Sequence, residues 1–171
     1  ELAGKVALIT GAAGGIGSAT AIKFLSEGCC VILTDIDKKS LNAKHDELSK
    51  TFGKDVVHSL LMDVTSESDV KNAVSKSINY FGGIDILVAN AGFSSAALFE
   101  NTTSKLWDKN MDILAKGSFL ISREVYQKMI EQNNGGSIIF IASKNSLNAS
   151  KGASAYSVAK SSLLHLSRSI A

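Results

Sequence analysis

The sequence predicts an α/β domain of three layers, with a doubly wound parallel sheet held between two layers of helices. Three observations predict it. Short apolar runs alternate with longer amphipathic stretches along the whole chain. The apolar runs carry no polar alternation, as strands covered on both faces require. Each amphipathic stretch is long enough for a right-handed crossover to the next parallel strand.

The elements follow in order. Residues 5–10 (KVALIT) read as the first strand, and a glycine cluster follows them. Residues 15–27 place Ile16, Ala19, Ile22 and Leu25 at helical spacing, with Phe24 alongside, and stop at Gly28. The second strand spans residues 31–34 and the second helix residues 38–52. The third strand is 56–62; the third helix, 66–81, is capped by Thr65 or Ser66 and ended by Gly82 and Gly83. Residues 84–89 (IDILVA) give the fourth strand. Residues 103–133 read as one long helix, with Gly117 inside it as a point of close packing. The fifth strand is 136–142, and a last helix covers 154–171.

A chain of 171 residues suits one domain with a sizeable core. The net charge of +2 comes from scattered lysines, which gives no footprint for nucleic acid or an anionic membrane. No apolar run is long enough to span a bilayer, and no basic-then-apolar leader opens the sequence, so a cytoplasmic location is expected. Cys29 and Cys30 are adjacent, cannot build a disulfide framework, and read as small buried hydrophobes. With no proline, Gly, Asn, Asp and Ser must punctuate the loops. A first residue of Glu1 rather than Met suggests a domain excised from a longer chain.

In an open parallel sheet, ligands sit beyond the carboxyl ends of the strands. After the first strand comes Thr10-Gly11-Ala12-Ala13-Gly14-Gly15-Ile16-Gly17, where glycines let the backbone approach a pyrophosphate at a helix N-terminus. The second strand is followed by Asp35 and Ile36, the third by Asp63 and Val64, the fourth by Asn90, Ala91 and Gly92, and the fifth by Ser143. Singly these signals are weak: a glycine turn is often only a turn, and Asp35 could cap the next helix. Their placement at successive strand ends points to a dinucleotide site. Asp35 would accept from the ribose diol, and no arginine stands beside it to receive a 2′-phosphate, so NAD rather than NADP is expected.

Tyr156 and Lys160 lie four apart on the last helix and share one face. A phenol is a poor base at neutrality, and a cation one turn away favours its phenolate. The bland alternative is a packed tyrosine beside a solvated lysine. Ser143 tips the balance, because the connection from it to Tyr156 is long enough to bring its hydroxyl back over the helix start. His45 and His58 read as surface or edge residues and His165 as a packing residue. No HExxH or CxxC spacing indicates a metal.

These residues resemble the short-chain dehydrogenase/reductase superfamily over the whole chain. Its TGxxxGxG motif falls on Thr10, Gly11, Gly15 and Gly17, its adenine-side aspartate on Asp63, and its NAG on Asn90, Ala91 and Gly92. The resemblance assigns Ser143, Tyr156 and Lys160 as catalytic residues. It gives the cofactor Gly11, Gly15, Ile16, Gly17, Asp35, Ile36, Asp63, Val64, Asn90, Ala91, Gly92, Tyr156 and Lys160. It implies a Rossmann fold with strand order 3-2-1-4-5, a small alcohol or aldehyde substrate, and a homo-oligomer. Family members continue through a sixth and a seventh strand, so the domain is expected to be truncated at its C-terminus, leaving an apolar fifth strand at the sheet edge. Leu114 stands where the family places an asparagine, which puts a water-linked proton relay to the lysine in question. Gly14 with Gly15 also approaches the TGxxGxxG turn of sugar-nucleotide epimerases, although Ser18 replaces its last glycine. A non-catalytic nucleotide-binding module and an NAD-bound epimerase or dehydratase remain as alternatives. Trp107, the run Met111 to Ala115, Ser143-Lys144-Asn145, Ala155-Tyr156 and His165-Leu166 narrow the resemblance to the dehydrogenase half of bifunctional rhamnulose-1-phosphate aldolase/alcohol dehydrogenases, which implies a fused aldolase domain.

Overall fold

The structure is a computed structural model that describes residues 2–171. Its sheet contains β1 (Val6–Thr10), β2 (Cys30–Asp35), β3 (Val57–Leu61), β4 (Ile86–Ala89) and β5 (Ser137–Phe140). All neighbours pair in parallel, as the crossover argument requires, and their order β3-β2-β1-β4-β5 is the one the family resemblance implies. The helices are α1 (Gly15–Ser26), α2 (Lys38–Phe52), α3 (Glu67–Phe81), α4 (Ser104–Asn110), α5 (Gly117–Gln132) and α6 (Ser154–Ile170).

Successive strand residues point to opposite faces, and each face has its own core. Leu8, Ile32 and Leu87 pack with Val70 and Val74 of α3 and with Leu120 and Ile121 of α5. Ile9, Leu33 and Val88 pack with Ala21 and Leu25 of α1 and with Leu41 and Leu48 of α2. Cys29 belongs to this second layer as the buried hydrophobe expected, and burial, before any other cause, pushes its thiol up to about 11. Cys30 is only half-buried. Of the two candidate caps for α3, Ser66 does the work: its hydroxyl accepts from the Asp69 amide.

Two expectations need correction. The helix read over 103–133 is interrupted by a π-helical turn, Met111–Lys116, between α4 and α5. Apolar periodicity continues through such a turn, so the sequence does not mark it; the turn inserts a residue and rotates the face presented by α5. Gly117 at its end lies against Val64, where a Cβ would come within 2.7 Å of Val64 Cγ2. His165, read as a packing residue, is exposed, because α6 buries Ala155, Ala159 and Leu163 instead. His58 lies on the edge strand β3 and stacks on Tyr80 with ring centroids 3.4 Å apart.

β5 forms the opposite edge. Ile138 and Phe140 face the α5 layer, whereas Ile139 on the other face is 41% exposed. A groove of about 520 Å³ runs between β5, α5 and α6, lined by Met129, Ile130, Ile138, Phe140 and Ile170. Among the described residues no helix is long and apolar enough to cross a membrane.

The start of β4 is held by Gln132 at the end of α5. Its Oε1 accepts from the Ile84 amide at 2.9 Å, and its Nε2 donates to the Ile84 carbonyl at 3.0 Å. Ile84 is fully buried, so both backbone groups would lack partners without that amide. Gln132→Leu should therefore cost about 2 kcal/mol of stability. Urea unfolding of the variant checks this, and a loss below about 0.5 kcal/mol would show that the clamp is incidental.

Candidate functional site

A cleft of about 800 Å³ runs across the carboxyl ends of the strands. Its lining follows the sheet order: Asp63 and Val64 beyond β3, Asp35 and Ile36 beyond β2, the glycine turn beyond β1, Asn90 to Gly92 beyond β4, and Ile141 with Ala142 beyond β5. Tyr156 and Lys160 of α6 close the β5 end. Topology thus brings together residues up to 149 positions apart in sequence, Gly11 and Lys160.

The glycine turn is fixed to β4 by a compact set of hydrogen bonds. Thr10 Oγ1 accepts from the amides of Asn90 (3.0 Å) and Ala91 (2.9 Å). In return Asn90 Nδ2 donates to the carbonyls of Thr10 (2.9 Å) and Gly11 (3.0 Å). Gly11 has φ +62 and sits under Ala91; a Cβ on Gly17 would approach the Gly11 carbonyl to 2.3 Å. Only glycine fits at these two positions. Gly14 caps α1 with no side-chain bond, so the first-turn amides face the cleft with no acceptor inside the helix. The structure therefore offers a phosphate a bare backbone cradle, and a dinucleotide fits the residues present.

Asp35 Oδ2 accepts from the Ala13 amide at 3.1 Å, and Oδ1 from the Asp37 amide at 3.0 Å. Its carboxylate therefore braces the glycine turn from the β2 side while lining the cleft. The cap of α2 is Asp37, whose side chain accepts from Lys39 and Ser40. Ile36 is 67% exposed and Ile16 60% exposed, two apolar side chains flanking the polar turn. Asp63 Oδ1 accepts from both the amide and the hydroxyl of Thr65 at 2.8 Å, which orients the entry to α3.

Lys160 is 6% exposed. Its Nζ donates to the Ile141 carbonyl, and among the described residues no carboxylate forms an ion pair with it. Burial pulls its pKa below the ordinary lysine value. Leu114, fully buried in the π turn, fills the space beside Gly92, where a Cβ would meet Leu114 Cδ2 at 2.8 Å and Lys160 Nζ at 3.9 Å. The ammonium thus meets the Ile141 carbonyl, while Leu114 closes the space at neighbouring Gly92.

Ser143 is placed differently. Its hydroxyl accepts from the Asn145 amide at 3.2 Å and caps the short turn Lys144–Ser146. It makes no hydrogen bond to Tyr156, and Ala142 and Ile141 line the cleft in its place. Ser146 ties that turn to α6, donating to the Lys160 carbonyl at 3.0 Å and accepting, through its own carbonyl, from Ser161 Oγ at 3.1 Å. Sequence reasoning also passed over Phe93, Ser94, Lys109 and Ile113, which line the cleft. Ile113 lies one residue before the anomalous Leu114, which was the available signal. Among the described residues no group of three His, Cys, Asp or Glu side chains is placed to hold a metal.

The lysine assignment makes a pH prediction. The folded chain holds the Lys160 proton less tightly than the unfolded chain, whose lysine titrates near 10.5. Across the window between the two values the unfolded state binds more protons, so the wild type gains stability as pH rises. Lys160→Met removes that term. Its stability advantage over the wild type should shrink between pH 7 and pH 10 in urea melts, and a pH-independent difference would refute a buried charge at this position.

The family model for short chain dehydrogenase matches residues 5–171. YuxG of Bacillus subtilis strain 168, called an uncharacterized oxidoreductase, is 45% identical over 171 residues; the match covers all of this chain and 25% of YuxG. The 3-oxoacyl-[acyl-carrier-protein] reductase FabG of Thermotoga maritima is 36% identical over 168 residues, covering 98% of this chain and 67% of the reductase. A crystal structure of NAD⁺-bound xylitol dehydrogenase superposes with a TM-score of 0.93 at 32% identity, over 99% of this chain and 64% of that one. The chain therefore spans a quarter of YuxG and about two thirds of the other two.

Proposed function

The chain belongs to the short-chain dehydrogenase family, and from that premise we propose that it is the cofactor-binding and catalytic-residue part of an NAD-dependent oxidoreductase of small alcohols or hydroxyaldehydes. The observation that carries the reading is the cleft itself, which has Asp35 toward one edge of the sheet and Tyr156 with Lys160 toward the other.

A bound nicotinamide dinucleotide supplies the donor or acceptor of the hydride. The chain supplies the rest. The amides at the start of α1 hold the pyrophosphate, Asp35 accepts from the adenosine ribose hydroxyls, and Asp63 with Val64 flanks the adenine. Tyr156 exchanges a proton with the substrate oxygen through its phenol, as acid in one direction and base in the other. Lys160 favours the phenolate electrostatically and donates to the nicotinamide ribose. Ser143 donates to the substrate oxygen with its hydroxyl proton, which the bond accepted from the Asn145 amide does not use.

The same reading places the domain in a longer polypeptide, in which further strands continue from the β5 edge and an aldolase domain is fused. The motif resemblance supports the fused domain, and the 25% share of YuxG supports only a longer polypeptide. The exposed apolar edge at Ile139 supports an oligomer or a continued sheet.

Cofactor choice is tested by calorimetry. The Asp35 carboxylate repels a 2′-phosphate, so NAD should bind at least about tenfold more tightly than NADP, or about 1.4 kcal/mol. Equal or tighter NADP binding refutes the assignment. Catalysis is tested on the full natural chain. Tyr156→Phe removes one hydroxyl and should lower turnover by at least about a hundredfold with NAD affinity nearly unchanged. Retention of most of the rate would sink the mechanism.

A further inference from the structure

A second polar system lies behind the cleft wall. Asn110, the last residue of α4, is fully buried. Its Nδ2 donates to the Leu106 carbonyl at 2.7 Å, and its Oδ1 accepts from Ser95 Oγ at 3.0 Å. Ser95 belongs to the extended segment 93–98 that leaves the Asn90-Ala91-Gly92 turn, and in which Phe93 and Ser94 line the cleft. Further along that segment the Ala97 amide donates to the Gly152 carbonyl at 2.8 Å, and Ala97 forms an isolated parallel bridge with Ala153. Ala153 immediately precedes α6. Thr102 Oγ1 and Ser154 Oγ, 3.2 Å apart, make a second tie to the first turn of the Tyr156 helix.

A buried amide costs free energy unless both of its ends are paired, and an apolar side chain would fill the same volume without that cost. What the amide adds is direction: the two bonds fix the height of Ser95 relative to α4. The next residues of α4 enter the π turn that carries Ile113 into the cleft and Leu114 against Gly92. Asn110 therefore sits where the wall segment, the π turn and, through Ala97, the start of α6 meet.

We infer that Asn110 and Ser95 are a positioning pair, which locks segment 93–98 as the substrate-side wall of the cleft and holds that wall in register with Tyr156. Neither side chain lines the cleft, so the pair acts through Phe93, Ser94 and the Ala97–Gly152 contact. The inference rests on the dehydrogenase reading for what the wall encloses, but not for its mechanics.

The test uses the full natural chain with Ser95→Ala, Ser95→Thr and Asn110→Leu. Ser95→Ala and Asn110→Leu should speed amide hydrogen exchange at 94–98 and 152–154 by at least about tenfold, a scale set by local opening. Amides of β1 and β4 should be unchanged, and NAD affinity should stay within about twofold of wild type. Ser95→Thr keeps the donor and should restore wild-type exchange. With NADH and glycolaldehyde as the probe pair, Ser95→Ala should raise KM for glycolaldehyde at least about fivefold with kcat within about twofold, the split expected when binding geometry alone is loosened. Wild-type exchange in Ser95→Ala, or a loss of kcat at constant KM, overturns the inference. Failure of the wild type to bind NAD would instead overturn the dehydrogenase reading, and the exchange comparison would still decide the positioning pair. Should Asn110→Leu fail to fold, the two Ser95 variants carry the same comparison.

Discussion

The site depends first on the junction between β1 and β4. Two strands that neighbour each other in the sheet but whose ends lie 80 positions apart in sequence are brought to one level by four hydrogen bonds, two into Thr10 Oγ1 and two out of Asn90 Nδ2. They act on backbone groups that would otherwise end the two strands unpaired. Because Asn90 grips the carbonyls of Thr10 and Gly11, the glycine turn cannot rise or fall relative to Gly92. Asp35 completes the hold from β2 through Ala13. A turn fixed on both flanks can leave its own first-turn amides unsatisfied, which is the property a phosphate needs.

The same constraint explains the tight packing there. Bringing α1 onto the end of β1 places Gly17 over the Gly11 carbonyl, closer than any side chain tolerates. The core beneath is apolar on both faces of the sheet, so the polar groups collect at the carboxyl edge, where water or a ligand can satisfy them. The sheet is thus a dry platform that presents one row of polar groups. The buried ammonium of Lys160 is the exception: it donates to a carbonyl instead of pairing with an acid, an arrangement that costs stability and leaves its other donors available to a ligand.

The π turn links this platform to the cleft wall. It follows the buried Asn110, carries Ile113 into the cleft, sets Leu114 beside Gly92 and ends where Gly117 meets Val64. Residues from two strand ends, Val64 beyond β3 and Gly92 beyond β4, therefore meet one widened turn. A regular helix would move Leu114 and Gly117 out of phase with those contacts.

The sequence by itself determined the strands, the helices and their parallel layering, because uninterrupted apolar runs and amphipathic stretches leave few ways to bury both kinds of surface, while the strand order followed from the motif resemblance. It also located Gly11, Gly17, Asp35, Asn90, Tyr156 and Lys160 at strand ends or on one helix face, since turn chemistry and the 3.6-residue period are local properties. Tertiary structure alone decided the break in the long helix, the exposure of His165 and the use of the Ser143 hydroxyl as a turn cap. It also decided which residues form the wall. Those outcomes turn on distances between segments far apart in the chain. A hydroxyl or an amide reads the same in sequence whether its partner is a neighbouring amide, a ligand or a loop such as 93–98; only packing chooses among them.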